Sequence, residues 1–306
     1  MEVTEKTEEK NETPKVRKKK KVKAFDIVLI ILLSLFAFVC LYPFLDQLLI
    51  SFATKQDFYG ATLITLPKHF TFDSYKFILY QDRIGYAFLV SLLVTVVGVV
   101  YSMALTILGA YVLAKEGLPG RKIFFVFVLI TMFFGGGLVP FYLTIKEIGL
   151  MNNILSVIIP FGINSFNMII LRNFFSQVPK EMIESCKLDG AGEFTILFKF
   201  VVPLSKAGIA TIALFYMVER WNDWYWPMLF LQDAPDWAPL ALELRNVLSS
   251  SQSTGIGGGG SIDPGVLFEE GKQAAMIVIS MIPILCVYPF VQKYFVKGVM
   301  IGSVKD

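Results

Sequence analysis

Six long apolar stretches constrain this chain more than any other feature of its sequence. A helix needs about 20 apolar residues to cross the hydrocarbon core of a membrane. A continuous apolar run favours a helix, because the strands of a membrane barrel alternate polar and apolar residues. The six stretches are residues 27–45, 87–113, 123–141, 154–171, 207–231 and 274–295. We therefore predict an all-α membrane protein with six transmembrane helices.

The composition excludes a soluble domain of this length. Hydrophobic residues make up 55% of the chain and charged residues only 17%, whereas about a quarter of the residues in a typical soluble domain are charged. The first apolar stretch is long for the core of a secretory signal peptide, and no small-residue cleavage site follows it. We expect this stretch to be retained as a helix.

The positions of lysine and arginine predict the orientation of the spans. Residues 15–23 hold seven basic residues directly before the first stretch. Such a run is compatible with nucleic-acid binding, but beside an apolar stretch it favours a cytoplasmic anchor, since positive residues resist translocation. With this end inside, the basic residues that fall in cytoplasmic segments are Lys115, Arg121, Lys122, Arg172, Lys180, Lys187, Lys199, Lys206, Lys293, Lys297 and Lys305. Both termini are therefore predicted to be cytoplasmic, with no nucleic-acid partner.

The chain divides by composition into three parts. Residues 1–23 are predicted to form a disordered basic cytoplasmic tail, residues 24–295 the transmembrane domain, and residues 296–306 a cytoplasmic C-terminal tail. Between the spans, the outer loops 46–86 and 232–273 are long. A Ser/Gly-rich run at 249–260 in the second of these loops predicts a flexible linker, because it offers nothing to pack in a core.

The cytoplasmic loop 176–206, between the fourth and fifth stretches, predicts a rigid elbow. Residues 181–188 can form a short helix, and Gly190 supplies the left-handed conformation that commonly ends one. A helical pattern resumes at 194–202, and Pro203 disrupts the hydrogen-bond ladder as the chain re-enters the bilayer. The apolar side chains expected to be available for burial are Leu188, Phe194, Leu197 and Phe198.

This loop resembles the EAA coupling loop of ABC importer permeases. The family pattern is Glu-Ala-Ala, then Asp-Gly-Ala, then a fixed gap to a Leu-Pro pair. The residues at matching positions are Glu184, Asp189, Gly190, Ala191 and Pro203, while Ser185, Cys186 and Val202 stand in for the two alanines and the leucine. Residue types, spacing and position in the topology all agree with the family.

The resemblance covers nearly the whole chain from the first span onward. The chain is most similar to the second permease of carbohydrate importers, the family of the maltose transporter's G subunit, and within it to the LplC/YtcP-like branch. The segments that carry this likeness are residues 135–140, 164–167, 221–223 and 298–302. The Gly-rich outer loop near Gly257 departs from the family.

The resemblance implies a type I ABC importer permease fold in the bacterial cytoplasmic membrane. It implies as partners a second homologous permease subunit, two ATPase subunits, an extracellular solute-binding protein and an oligosaccharide substrate. The sequence has no Walker A pattern, so ATP and Mg²⁺ are expected in the partner ATPase, with no cofactor and no enzymatic activity in this chain. Three cysteines and a single histidine give neither a disulfide framework nor a metal-binding spacing.

The resemblance implies that a defined set of residues in the elbow couples this chain to the ATPase. These predicted ATPase-coupling residues are Glu184, Leu188, Asp189, Gly190, Ala191, Phe194 and Pro203, with Leu188 and Phe194 as the contacts buried by the ATPase. For Glu184 and Asp189 the alternative is that the acids only cap or charge the short helix.

Polar residues inside the spans are candidates for the translocation pathway. Ionisable groups in a span usually face a polar cavity or pair with one another, and Arg220 and Asp223 are spaced for such a pair. The candidates are Asn164, Asn167, Arg220, Trp221, Asn222 and Asp223. The alternative for the aromatic members of this region is a belt at the membrane interface.

Three other functions compete with a carbohydrate permease. A peptide or amino-acid permease would carry the same coupling loop. A secondary transporter or channel working alone would predict more spans or inverted repeats, and neither is visible. An assembly or sensory membrane protein would have no use for the coupling loop.

Overall fold

The computed structural model describes residues 24–60, 66–80, 82–254 and 268–303. The predicted tail 1–23 and most of the Gly-rich run near Gly257 lie outside these ranges. Within them the chain is helical and contains no β-strand. The α-helices are α1 (Ala24–Ser51), α2 (Lys55–Tyr59), α3 (Asp73–Tyr80), α4 (Asp82–Ala114), α5 (Arg121–Phe133), α6 (Leu138–Glu147), α7 (Ser165–Phe175), α8 (Lys180–Leu188), α9 (Glu193–Ile196), α10 (Val202–Leu204), α11 (Lys206–Asn222), α12 (Tyr225–Phe230), α13 (Leu240–Thr254) and α14 (Glu269–Ser303).

Short segments of other helix types fill some of the connections. The 3₁₀ turns are Ile154–Val157, Ile159–Phe161 and Pro235–Trp237, and Leu197–Val201 is a turn of π-helix. The chain forms two compact units, of which the first ends at Asp46 and the second begins at Gln47. The first unit includes residues 24–46 of α1, most of whose apolar side chains are exposed, as lipid-facing side chains of a span are.

Between three and six segments of the described chain are suited to cross a membrane. Three single helices are long and apolar enough, over Phe25–Ser51, Arg83–Ala114 and Glu269–Pro289. Three further candidates are bent pairs: α5 with α6 at 109°, Ile154–Phe161 with α7 at 46°, and Glu193–Leu204 with α11 at 85°. The chain is therefore an all-helical membrane protein.

Three of the six predicted stretches are bent pairs of helices and not single straight helices. Stretch 123–141 breaks at Gly135–Gly137, where Gly137 has φ of 87°. Stretch 154–171 begins with 3₁₀ turns and restarts at Asn164, whose side chain caps α7. Stretch 207–231 breaks at Asp223, whose Oδ1 accepts the backbone N–H groups at the start of α12. In each case glycine or a capping side chain ends one helix or begins another.

Helices α4, α7 and α11 pack together at the centre of the second unit. They approach closely at two glycines: a Cβ on Gly109 would lie 2.6 Å from Met168 Sδ, and one on Gly208 would lie 2.5 Å from the Phe174 ring. Small residues at helix contacts are typical of membrane bundles. A buried hydrogen bond of 2.7 Å between Thr106 Oγ1 and Tyr216 OH joins α4 to α11.

One segment predicted to be flexible is helical. Residues 249–254, predicted as part of a flexible linker, continue α13 to Thr254. These residues include no glycine or proline, so the helical hydrogen-bond ladder continues. Residues 296–303 of the predicted C-terminal tail continue α14.

Candidate functional site: the elbow

The first arm of the elbow is α8, and it ends in a Schellman motif. Gly190 has φ of 80°, as predicted, and this left-handed residue turns the chain back on the helix. The N–H of Ala191 donates to Cys186 O at 2.9 Å and the N–H of Gly190 donates to Lys187 O at 3.0 Å. These are the two bonds that define the motif. They satisfy carbonyls that a helix end otherwise leaves open.

The second arm runs from α9 through the π turn to α10. The prediction that Pro203 interrupts the helix was wrong by two residues. Pro203 lies inside α10, and the 85° bend comes at Ser205, between Leu204 and Lys206. Proline is tolerated near the start of a helical turn, where its missing N–H has no partner to lose.

One face of the elbow is part of the protein core. Cys186, Ile196, Leu197 and Val201 are buried in one cluster with side chains of α4 and α7, such as Leu171. Leu197, predicted to be available for burial, is only 1% exposed and belongs to this internal cluster. The elbow is therefore seated on α4 and α7 through an apolar contact.

The opposite face presents apolar side chains to the outside. Leu188 is 90% exposed, Phe194 is 72% exposed and Phe198 is 53% exposed. The rings of Phe194 and Phe198 are stacked with centroids 6.5 Å apart. An exposed apolar patch of this kind marks an interaction surface.

The two acids of the motif, Glu184 and Asp189, are both exposed. Across the described ranges, their side chains form no hydrogen bond or ion pair within the chain. Asp189 stands at the C-terminal end of α8, where the helix dipole disfavours a negative charge. Stabilisation of α8 therefore does not account for Asp189.

A carboxylate that the sequence analysis missed joins the elbow to α4. Glu193 Oε2 accepts a hydrogen bond from Tyr111 OH at 2.7 Å, and Glu193 Oε1 pairs with Lys115 Nζ at 2.6 Å. Lys187 Nζ of α8 lies 3.8 Å from the same Oε1. Tyr111 and Lys115 lie 82 and 78 residues from Glu193 in the sequence, so only a charged residue opening a helix was visible there.

A second ion pair lies beside this one. Lys180 Nζ, at the start of α8, is 2.5 Å from Glu116 Oε2. The hydrogen bond from Lys180 holds the pKa of the Glu116 carboxyl below its ordinary value. Between the elbow and the ends of α4 and α7 is a cavity of about 160 Å³, which Glu184 also lines. In the part of the chain that the structure describes, no group of three or more His, Cys, Asp or Glu side chains is arranged to hold a metal ion.

Arg220, a pathway candidate, is bound to the broken helix before α7. Its guanidinium donates to Val157 O at 3.2 Å and to Phe161 O, and it lies over the Phe161 ring at 5.1 Å. The 3₁₀ turns leave these carbonyls without helical partners, which a buried arginine can satisfy. The predicted pair between Arg220 and Asp223 was wrong: the two described side chains form no ion pair, because Asp223 caps α12.

The other pathway candidates divide into buried and exposed residues. Trp221 is buried, donates from Nε1 to Ser280 O at 2.8 Å and packs edge-on against Phe88. Asn167 is also buried. Asn222 is exposed and Asn164 is half-buried. Among the pathway candidates, these are the two whose side-chain amides are accessible beside the helix breaks.

Asn164 is fixed by two hydrogen bonds. Its Oδ1 accepts from Asn167 N at 3.2 Å, and its backbone N–H donates to Tyr216 OH at 3.0 Å. Through Tyr216 the break before α7 is tied to α11 and, by the bond to Thr106, to α4. The break is therefore a fixed part of the bundle.

Comparison with known proteins identifies the family to which this chain belongs. Residues 122–301, which include the whole elbow, match the family described as "Binding-protein-dependent transport system inner membrane component". In Bacillus subtilis (strain 168), the polygalacturonan/rhamnogalacturonan transport system permease protein YtcP is 40% identical over 93% of this chain and 99% of its own length. Protein LplC of the same organism is 40% identical over 92% of this chain and 95% of its own length.

A solved structure supports the same assignment. The crystal structure of a bacterial ABC transporter involved in the import of the acidic polysaccharide alginate contains a chain with a TM-score of 0.80 and 31% identity. The match covers 92% of this chain and all of that chain. The present chain belongs to the inner membrane components of binding-protein-dependent transport systems, the non-catalytic permease subunits of bacterial ABC importers.

Proposed function

We propose that this permease imports an oligosaccharide as part of a complex driven by a separate ATPase. In this proposal the three single helices and the three bent pairs form six spans of a type I importer fold, with both termini in the cytoplasm. The distribution of lysine and arginine supports the orientation. The likeness to the alginate importer supports the fold.

The observation that carries the proposal is the two-sided elbow. Its inner face is packed in the core, whereas Leu188 and Phe194 protrude with most of their surface exposed. Together with the unpaired acids Glu184 and Asp189, these side chains offer an apolar and negative surface to an ATPase groove. Gly190 and Ala191 hold the Schellman turn that gives this surface its shape.

The mechanism follows from the rigidity of the elbow. ATP and Mg²⁺ bind in the two ATPase subunits, and closure of these subunits displaces the elbow of this chain and that of a second, homologous permease. A packed element moves as a rigid body, so the displacement reaches α4 and α7 directly. Pro203 and Ser205 lie where the moving elbow joins α11. The two permeases then alternate between inward-open and outward-open states.

The substrate class is supported by the names of relatives. One relative at 40% identity is named for polygalacturonan and rhamnogalacturonan transport, and another at 27% for arabinooligosaccharides. Within this chain, Asn222 and Asn164 are the pathway candidates with accessible amides, which suit sugar hydroxyls. In this proposal Arg220, Trp221, Asn167 and Asp223 shape the wall behind them.

Gentle purification of the tagged chain from its native membrane tests the complex. Mass spectrometry is expected to identify a Walker-motif ATPase, a second permease and an extracellular binding protein. Combined Leu188→Ser and Phe194→Ser substitutions are expected to lose the ATPase while the second permease stays bound. Leu204→Ser is a matched control, since Leu204 is also exposed and apolar but lies outside the motif. Loss of the ATPase in the control alone would contradict the assignment of the docking surface.

Reconstituted uptake tests the substrate. The recovered binding protein is screened against oligogalacturonates, neutral oligosaccharides and peptides, and proteoliposomes are then assayed with the compound that binds. ATP-dependent uptake of an oligosaccharide supports the proposal. Uptake of peptides alone would indicate that the chain is a peptide permease, and uptake without ATP would indicate a secondary transporter.

A further inference from the structure

Glu193 forms a polar link between the elbow and the second span, beside the Lys180–Glu116 ion pair. Its two carboxylate oxygens contact Tyr111 and Lys115, which are four residues apart on α4 and therefore share one helix face. Lys187 of α8 approaches the same carboxylate. We call these four residues the Glu193 cluster. It joins both arms of the elbow to a single span.

The cluster contributes little to stability by itself. The side chains of Lys115 and Glu193 are 35% and 45% exposed, and ion pairs so open to water are weak. The buried side chains of the elbow, such as Ile196 and Leu197, already hold it in place. A role in stability alone therefore does not explain why Glu193 contacts two donors on one face of α4.

Geometry distinguishes the cluster from the rest of the elbow's contacts. The contact with α7 is apolar, and packed apolar surfaces can slide past one another by small steps. A carboxylate bound through both oxygens to two donors on one helix fixes direction as well as distance. The Glu193 cluster therefore adds a directional link to α4 to the apolar contacts that the elbow makes with both α4 and α7.

We propose that Glu193 is a positioning residue, through which the second span follows the elbow during the ATP-driven cycle. The inference rests on the proposed docking of the ATPase on the elbow. Glu193 need not touch the ATPase or the substrate. It acts through Tyr111 and Lys115, and its loss leaves the ATPase bound while the second span no longer moves with the elbow.

Electron-spin distance measurements on the assembled importer test this inference. Spin labels are placed at exposed positions on the elbow and on α4, by Lys199→Cys and Val112→Cys, after replacement of the exposed Cys40 and Cys286 by serine. Cys186 is buried and is retained. Distances are recorded without nucleotide and after trapping with ATP, Mg²⁺ and vanadate.

In the otherwise unchanged importer, the label distance is expected to be the same in both states. In Glu193→Ala and Lys115→Glu, it is expected to change or broaden on trapping, and substrate moved per ATP hydrolysed is expected to fall about fivefold, the lower end of typical couplings between sites. The double variant Lys115→Glu/Glu193→Lys restores the pair with reversed charges and should recover both readouts. Glu181→Gln, which removes an exposed acid from α8, is the matched control.

Three results would overturn the inference. In the first, the label distance already changes on trapping in the unchanged importer. In the second, the single variants behave as the control does, and in the third, the double variant stays as impaired as the single variants. Failure of the unchanged chain to bind an ATPase is a different result, because it refutes the proposed docking and is seen before any variant is made.

Discussion

Gly190 offers a direct test of how the elbow is built. Its φ of 80° lies in the left-handed region, which costs an ordinary residue about 1–2 kcal/mol. Apart from its chain neighbours, a Cβ at this position would meet no atom within 4 Å, so the penalty comes from the local backbone and not from a clash with the rest of the protein. A penalty of this size shifts an equilibrium by about 5- to 30-fold.

Valine, alanine and asparagine at position 190 should therefore form a series. Asparagine tolerates the left-handed region and should have the smallest effect, while valine, being β-branched, should have the largest. We expect the dissociation constant of the ATPase to rise by about 5- to 30-fold in Gly190→Val, measured by interferometry on nanodisc-embedded permease. If the elbow keeps its shape, the same penalty appears as a lower melting temperature of the permease.

Gly192→Ala is the control for this series. Gly192 has φ of −74° and ψ of 159°, which any residue adopts, and a Cβ there would also meet no atom within 4 Å. We expect this variant to match the original protein in ATPase affinity and melting temperature. The reasoning is refuted if Gly190→Val changes neither quantity, or if Gly192→Ala impairs both as strongly as Gly190→Val does.

Three further substitutions test other parts of the structure. Arg220→Met leaves two buried carbonyls without a donor, and we expect the permease in detergent to lose about 2–4 kcal/mol of stability by thermal unfolding. Gly208→Leu forces a side chain into the Phe174 ring, and the yield of monodisperse protein in size-exclusion chromatography should fall. Lys180→Gln removes the partner that lowers the pKa of Glu116. The stability difference between this variant and the original should be present above the ordinary carboxyl pKa and vanish as the pH falls through the lowered value, measured by melting temperature against pH.

The number of candidate spans and the shape of the elbow were predictable because their signals are local. Apolar runs depend only on composition within about 20 residues, and Gly190 follows a short helix at the position where a left-handed residue ends one. The breaks in the spans also have local signals. Asn164 and Asp223 are good N-cap residues, and a search for caps inside the apolar runs would have found both breaks.

What the sequence analysis missed depends on contacts between distant residues. Arg220 was paired with its neighbour Asp223, whereas its real partners are carbonyls about 60 residues away, freed by a helix break. Glu193 meets Tyr111 and Lys115 only once α4 and the elbow are packed. Leu197 and Phe198 are adjacent and both apolar, and only the packed structure decides which of them faces inward.

The exposed apolar face of the elbow has a consequence for the life of the protein in the cell. In the proposed complex, a copy made without its ATPase leaves Leu188 and Phe194 exposed, as an incompletely folded chain exposes its core. Chaperones and proteases recognise such surfaces, and small changes in their exposure alter abundance several-fold. The amount of this permease in a cell should therefore follow the supply of its ATPase, so that unassembled copies are cleared and a functional stoichiometry is maintained.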